Sequence, residues 1–302
     1  NGKLQICGIG KGRFIISDNM EALMEAANVH TALLGEKELS VLKRRVNNQP
    51  VYFINNRTDK SVRKFITLSE RSANLALFDP MTGNKGLASY RYNAAKNIEV
   101  LISLAPGESV LLQSVPAATK DNVFPYVEKT GTPVSLEGNW TLKFLEGGPQ
   151  LPATQTLATL RSWTEIAGEE GKNFSGTALY TLSFKKPADH TGNWLLNLGQ
   201  LSATAEVRLN GKTIATLVGP TFETVIPAAA LQEENKLEIT VSNLMANRIA
   251  WMDRNDKPWK IFYNTNMPAR KKENVKNNLF YAGNWAPLAS GLMGPVTLTP
   301  LK

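Results

Sequence analysis

Hydrophobic positions along this chain recur with the period of a strand far more often than with that of a helix. Val51-Tyr52-Phe53-Ile54 and Val62-Arg63-Lys64-Phe65-Ile66-Thr67-Leu68 are rich in β-branched and aromatic residues and read as strands. In Ile98-Glu99-Val100-Leu101-Ile102-Ser103-Leu104, the residues Ile98, Val100, Ile102 and Leu104 share one strand face. Pro106-Gly107 then supplies a φ of about −65° followed by a positive one, a turn leading into Ser109-Val110-Leu111-Leu112. Further on, Ala178, Tyr180, Leu182 and Phe184 alternate, and Trp194 to Leu198 and Leu237-Glu238-Ile239-Thr240-Val241 make further strands. Between Ala205 and Ala215 the pair Asn210-Gly211 tolerates positive φ at both centres of a type I′ turn, so a two-residue hairpin is predicted there.

One stretch departs from this rhythm. Residues 1–40 carry two short apolar runs, Leu4-Gln5-Ile6-Cys7 and Arg13-Phe14-Ile15-Ile16, and then a helical face of Met20, Leu23, Met24 and Ala27. Ser17-Asp18-Asn19 supplies its N-cap, with Glu21 three residues after Asp18. Forty residues bury too little surface to fold alone, so this piece reads as a short α/β tail of an upstream domain or a flap on the next one. The organisation expected is therefore residues 1–40 as that tail, 41–128 as an accessory β-sandwich, a linker at 129–133, and 134–302 as a larger β-sandwich. The fold class is mainly β, with two antiparallel sandwiches and a short α/β segment at the N-terminus.

The 302 residues are 42% hydrophobic and 20% charged, ordinary globular proportions that exclude disorder and collagen-like structure. No apolar run approaches the roughly 20 residues of a membrane span. The net charge of +8 invites a nucleic-acid reading, but the basic residues are scattered. Arg270-Lys271-Lys272, Lys43-Arg44-Arg45 and Arg63-Lys64 do not line one face in register, so no nucleic-acid partner is expected. The chain opens Asn1-Gly2-Lys3-Leu4 without a methionine or an apolar signal core, the pattern expected of a fragment or a processed end.

Site chemistry is sparse. Gly8, Gly10 and Gly12 lack the dinucleotide spacing, since Arg13 stands where a third glycine would follow, and a strand comes next; a tight turn is the reading. His30 and His190 have no Cys, Asp or Glu at ligand spacing, and the lone Cys7 makes neither a disulfide nor a thiolate metal site. No Gly-x-Ser-x-Gly elbow occurs. No catalytic residue, metal ligand or cofactor is assigned to this chain. The most unusual segment runs from Asn247 to Trp285, where Trp251, Trp259, Phe262, Tyr263, Phe280, Tyr281 and Trp285 interleave with Arg248, Arg254 and Arg270. It reads as a long irregular loop, a type that is usually functional or interfacial. Flat rings beside polar groups suit sugar recognition, and they equally suit packing on a neighbouring domain. Arg248, Trp251, Trp259, Tyr263, Tyr281 and Trp285 are the carbohydrate-binding or interdomain candidates.

Residues 134–302 resemble the galactose-binding-like sandwich of glycoside hydrolases. The resemblance rests on Leu136-Glu137-Gly138-Asn139-Trp140, Trp163, Phe174 to Tyr180, Leu196-Asn197-Leu198-Gly199, Ala205 to Gly211 and Asn235 to Ile239. Val241 to Arg248 and Ser290-Gly291-Leu292-Met293-Gly294-Pro295-Val296 narrow it to the C-terminal end of family 106 glycoside hydrolases, the α-L-rhamnosidases. Gly10 to Phe14, Lys43-Arg44-Arg45, Val51 to Asn56, Leu77 to Gly83 and Leu104 to Ser109 are similar to the same family's accessory region. That resemblance implies catalytic carboxylates and a calcium on an absent upstream barrel, with this chain as a non-catalytic portion that braces it. It also implies an exported bacterial protein, periplasmic or at the cell surface, acting on rhamnose-containing or other complex glycans. An independent carbohydrate-binding module and a purely structural interdomain module are the other readings.

Overall fold

The computed structural model describes residues 4–27, 33–34, 38–68, 74–94, 96–116, 122–187, 190–261 and 271–302. The chain divides into two compact units, residues 1–126 and 127–302.

The first unit opens with a hairpin of β1 (Gln5–Ile9) and β2 (Gly12–Ile16), turned at Gly10 with φ 59°. The glycine-rich run is therefore a tight turn between strands. α1 (Met20–Ala26) follows, capped by Asn19, whose Oδ1 accepts the Ala22 N–H at 3.2 Å. His30 lies outside the described residues. Next come β3 (Leu33–Leu34), β4 (Leu39–Val46), β5 (Gln49–Asn56), β6 (Val62–Leu68) and β7 (Leu75–Phe78). β8 (Lys85–Leu87), β9 (Tyr90–Tyr92), β10 (Ile98–Leu104) and β11 (Ser109–Ser114) complete it. These strands form one sheet in the order β3-β6-β10-β9 and another in the order β4-β5-β11-β7-β8, all pairings antiparallel.

The alternation seen in the sequence explains how the two sheets meet. Ile98, Val100, Ile102 and Leu104 of β10 are buried in one core with Tyr52 and Ile54 of β5 and Leu112 of β11. The Pro106-Gly107 turn, with Gly107 at φ 75°, carries the chain from β10 in one sheet to β11 in the other. Asn56 is the polar exception. Its buried amide donates to the carbonyls of Lys60, Leu104 and Ala105, and its Oδ1 accepts from the Thr58 N–H, which closes one end of the sandwich without an unpaired group.

In the second unit β12 (Val134–Ser135), β13 (Trp140–Gly148) and β14 (Gln155–Leu157) precede two short helices, α2 (Trp163–Ile166) and α3 (Gly168–Asn173). β15 (Ser175–Lys185), β16 (Trp194–Asn197), β17 (Gln200–Leu201), β18 (Thr204–Leu209) and β19 (Lys212–Val218) follow. β20 (Glu223–Ile226) and β21 (Glu234–Ser242) lead into α4 (Ala246–Arg254). The unit ends with β22 (Val275–Lys276), β23 (Leu279–Phe280), β24 (Leu292–Gly294) and β25 (Thr297–Pro300). Its two main sheets run β12-β25-β16-β20 and β14-β13-β15-β21-β18-β19. Asn210 and Gly211, at φ 51° and 81°, make the two-residue turn between β18 and β19.

Trp140, Leu142, Trp163, Phe174, Tyr180, Leu196, Ile239 and Leu298 lie in the core between these sheets. Burial of such rings and aliphatic chains is worth roughly 2–3 kcal/mol each before chain entropy is charged against it. Residues 129–133 differ from the expected linker. Lys129 bridges to Leu301, and the Thr130 N–H donates to the Pro300 carbonyl at 3.0 Å, so this stretch is paired against the unit's last strand. The fold class expected from the alternation is the one observed, mainly β with antiparallel sandwich sheets.

Candidate functional site

The segment after β21 was expected to be irregular throughout, yet it begins with helix α4. Its inward residues are Asn247, Ala250 and Asp253, spaced by three along the helix. Two of these three are polar, so no apolar stripe marks the helix in the sequence. Each polar residue meets backbone. Asn247 donates to the Leu288 carbonyl at 2.8 Å and accepts the Leu288 N–H at 2.7 Å. Asp253 Oδ2 accepts the Ala282 N–H at 2.7 Å, while Oδ1 accepts from Trp259 Nε1 and Lys260 Nζ, each at 2.7 Å. Burial pushes the Asp253 carboxyl up, but the Lys260, Ala282 and Trp259 donors outweigh it and hold the pKa below the ordinary value of 3.8. Asp253 is the one buried carboxylate among the described residues, and both its oxygens are engaged in tying the segment down.

At the C-terminal end of α4 an open cleft of about 440 Å³ is lined by residues of α4 and α3. Trp251 and Pro287 give it apolar walls, Asn173 and Asn255 supply amides, and Lys172, Arg254 and Glu169 supply charge. α3 packs tightly on α2 because position 171 is glycine: a Cβ there would collide with the Trp163 carbonyl oxygen. Within the cleft, Arg254 Nη2 donates to Asn173 Oδ1 at 2.7 Å and Nη1 to the Gly283 carbonyl at 3.3 Å. Lys172 Nζ donates to Glu169 Oε1 at 2.6 Å, and Asn173 Nδ2 to the Glu169 carbonyl at 2.7 Å. Asn255 Nδ2 donates to the Trp251 carbonyl at 2.8 Å.

The five candidate residues that the structure describes fall into separate groups. Trp251 lines the cleft, and the Arg248 guanidinium lies over its ring at 5.1 Å, with Gly148 leaving room for that guanidinium. Trp259 and Trp285 form a second group around Phe280, edge to face at 6.1 and 5.7 Å, and both are half-buried. Their indole N–H groups donate to Asp253 and to Asn274 Oδ1 at 2.9 Å, respectively. Tyr281 carries the Lys276 ammonium over its ring at 4.8 Å. Tyr263, with Phe262 and Arg270, lies outside the described residues. Sequence reasoning missed Glu169, Lys172, Asn173, Asn255 and Pro287, because α3 and the segment at 287 are far from α4 in the chain and carry no motif. His190 sits beside Trp194, its ring edge-on at 5.1 Å and its Nε2 3.0 Å from the Asn193 carbonyl oxygen.

Among the described residues no three His, Cys, Asp or Glu side chains gather as a metal-binding group. Nor is any helix among them long and apolar enough to cross a membrane. Chemically, the cleft offers a flat indole, amide acceptors and donors, and fixed cations, the equipment for binding a polar ring compound.

No protein-family model matches the chain. The solved structure of a rhamnosidase from Novosphingobium sp. PP1Y is similar over 97% of this chain, with a TM-score of 0.71 and 26% identity, and the match takes in 27% of that protein. A protein of Formosa agariphila named "Putative beta-glucuronidase" is 30% identical over 199 residues, 58% of this chain and 16% of the relative. The chain thus spans 27% and 16% of these two proteins. Both bear glycosidase names, and the chain is related to a section of such enzymes.

Proposed function

We propose that this chain is the non-catalytic C-terminal portion of an exported family 106 glycoside hydrolase resembling the α-L-rhamnosidases. Its second unit is read as a galactose-binding-like jelly roll. In this reading the two sandwiches brace a catalytic barrel supplied by another part of the enzyme, and the α3–α4 cleft faces glycan. The catalytic carboxylates and the calcium belong to that barrel, and the enzyme works in the periplasm or at the surface of a bacterium.

One observation carries the reading: nearly the whole chain follows the fold of about a quarter of a rhamnosidase, while its single described buried carboxylate is consumed by Trp259, Lys260 and Ala282. Glycoside hydrolysis needs two carboxyl groups flanking the bond, one free to donate a proton. The β1–β2 hairpin supports the bracing role. Ile6, Ile9, Phe14 and Ile16 are all more than half exposed on a ribbon with two open edges, a surface suited to a covering partner.

The test is an assay of the 302-residue chain on an aryl α-L-rhamnoside. Release of aryl alcohol no faster than the buffer blank is expected. Turnover within the ordinary enzymatic range, about 1–10³ s⁻¹, overturns the proposal.

A further inference from the structure

The ligand of the α3–α4 cleft can be narrowed by the charge state of one side chain, an inference that rests on the glycan-facing reading above. Arg254 is anchored by two acceptors, Asn173 Oδ1 and the Gly283 carbonyl, and both are neutral. No carboxylate lies within salt-bridge distance of it among the described residues. The charged pair that shares the cleft, Lys172 with Glu169, is already matched at 2.6 Å. The cleft therefore holds a guanidinium fixed in place by uncharged partners, with three of its five N–H groups outside those two bonds.

Neutral anchoring of this kind gives a rigid positive fork at little entropic cost to whatever binds it. Beside it stands the Trp251 indole, held by Arg248 against one of its faces. An indole takes the C–H face of a pyranose, and a guanidinium fork matches the planar geometry of a carboxylate. Asn255 adds an amide oxygen on the cleft wall for a sugar hydroxyl, its nitrogen being spent on the Trp251 carbonyl. The cleft is open to solvent, and its volume of about 440 Å³ leaves room for a sugar ring.

We propose that the cleft is a subsite for a hexuronate residue of a glycan, its ring laid on Trp251 and its carboxylate paired with Arg254. The site reads an acidic sugar and does no chemistry on it.

Titration of the 302-residue chain with sodium D-glucuronate, D-glucose and D-glucose 6-sulfate, followed by the NMR indole N–H resonance of Trp251, tests this. Glucuronate is expected to saturate that resonance with a Kd on the order of 1 mM, about fivefold tighter than glucose and tighter than the sulfate ester, and to weaken with added salt. Arg254→Gln should abolish the preference over glucose. Because that change also removes the bonds to Asn173 and Gly283, the exposed Pro287→Glu provides a second probe. It places a negative charge on the cleft wall and should weaken glucuronate about fivefold more than it weakens glucose. No saturable shift, equal or tighter binding of glucose or the sulfate, or a preference that survives both substitutions overturns the subsite. Such a failure leaves the non-catalytic reading standing, since only rhamnoside turnover by the chain defeats that.

Discussion

Trp259 donates its indole N–H to Asp253 Oδ1 at 2.7 Å, and through that bond the last turn of α4 holds the aromatic segment that follows it. The same carboxylate takes the Lys260 ammonium and the Ala282 N–H. A single acid therefore gathers three pieces of backbone around the Trp259–Phe280–Trp285 rings. Buried charge is tolerated there because every donor around it is directed at one of its two oxygens.

Asp253→Ala should for that reason be severe. It strands a largely buried ammonium, an indole N–H and a backbone N–H at once, and the expected loss is about 3 kcal/mol. Urea unfolding followed by tryptophan fluorescence reads it as a lowered midpoint. A loss under about 0.5 kcal/mol would mean that the three donors find water or other partners.

The pH dependence follows from the direction of the Asp253 shift. The folded pKa lies below the ordinary 3.8, so its contribution is fully present above that value. As pH falls through the folded pKa the carboxyl protonates and the contribution disappears. Thermal midpoints of the native chain should thus drop more steeply than those of Asp253→Asn as the pH falls below about 4, and remain flat relative to that variant from pH 5 to 7. Parallel curves for the two proteins over the acid range would contradict this.

Tyr180 has a different task, in the core. Its hydroxyl accepts from Trp163 Nε1 at 2.6 Å and from the Leu292 N–H at 3.0 Å, and burial pushes its pKa up to about 12. Tyr180→Phe keeps the ring and strips two buried donors of their acceptor, at an expected cost of about 3 kcal/mol. Differential scanning calorimetry checks this, and a variant as stable as the parent refutes it.

The β1–β2 hairpin yields a prediction of the opposite sign. Phe14 and Ile16 are 63% and 64% exposed, so replacing both with serine removes apolar surface without emptying a core. Unfolding free energy in urea should stay within about 0.5 kcal/mol. A clear drop in stability would place these side chains in the fold's own packing.

Strands and turns were readable because their signals are local. β10 spans Ile98–Leu104 as its alternation indicates, and Asn210-Gly211 turns where its tolerance of positive φ requires. Helix α4 escaped notice for an equally definite reason. Its buried face carries Asn247 and Asp253, whose partners at Leu288 and Ala282 lie tens of residues away, so its inward side looks polar. The short helix α3 is also silent in the sequence, since Gly168-Glu169-Glu170-Gly171-Lys172-Asn173 has two glycines where helix propensity would want none.

The sequence by itself determined the class of fold, because apolar residues of period two with little helical period beside them leave facing sheets as the way to bury that face, and turn residues such as Gly107 and Gly211 mark where strands reverse. Only the tertiary structure decided which aromatics share an environment. Trp251 joins Arg254, Asn173 and Pro287 at an open cleft, while Trp259 and Trp285 close around Phe280. Ring chemistry is the same in both groups. What separates them is the set of hydrogen bonds from Asn247 and Asp253 to distant backbone, and contacts between residues far apart in the chain leave no periodicity to read.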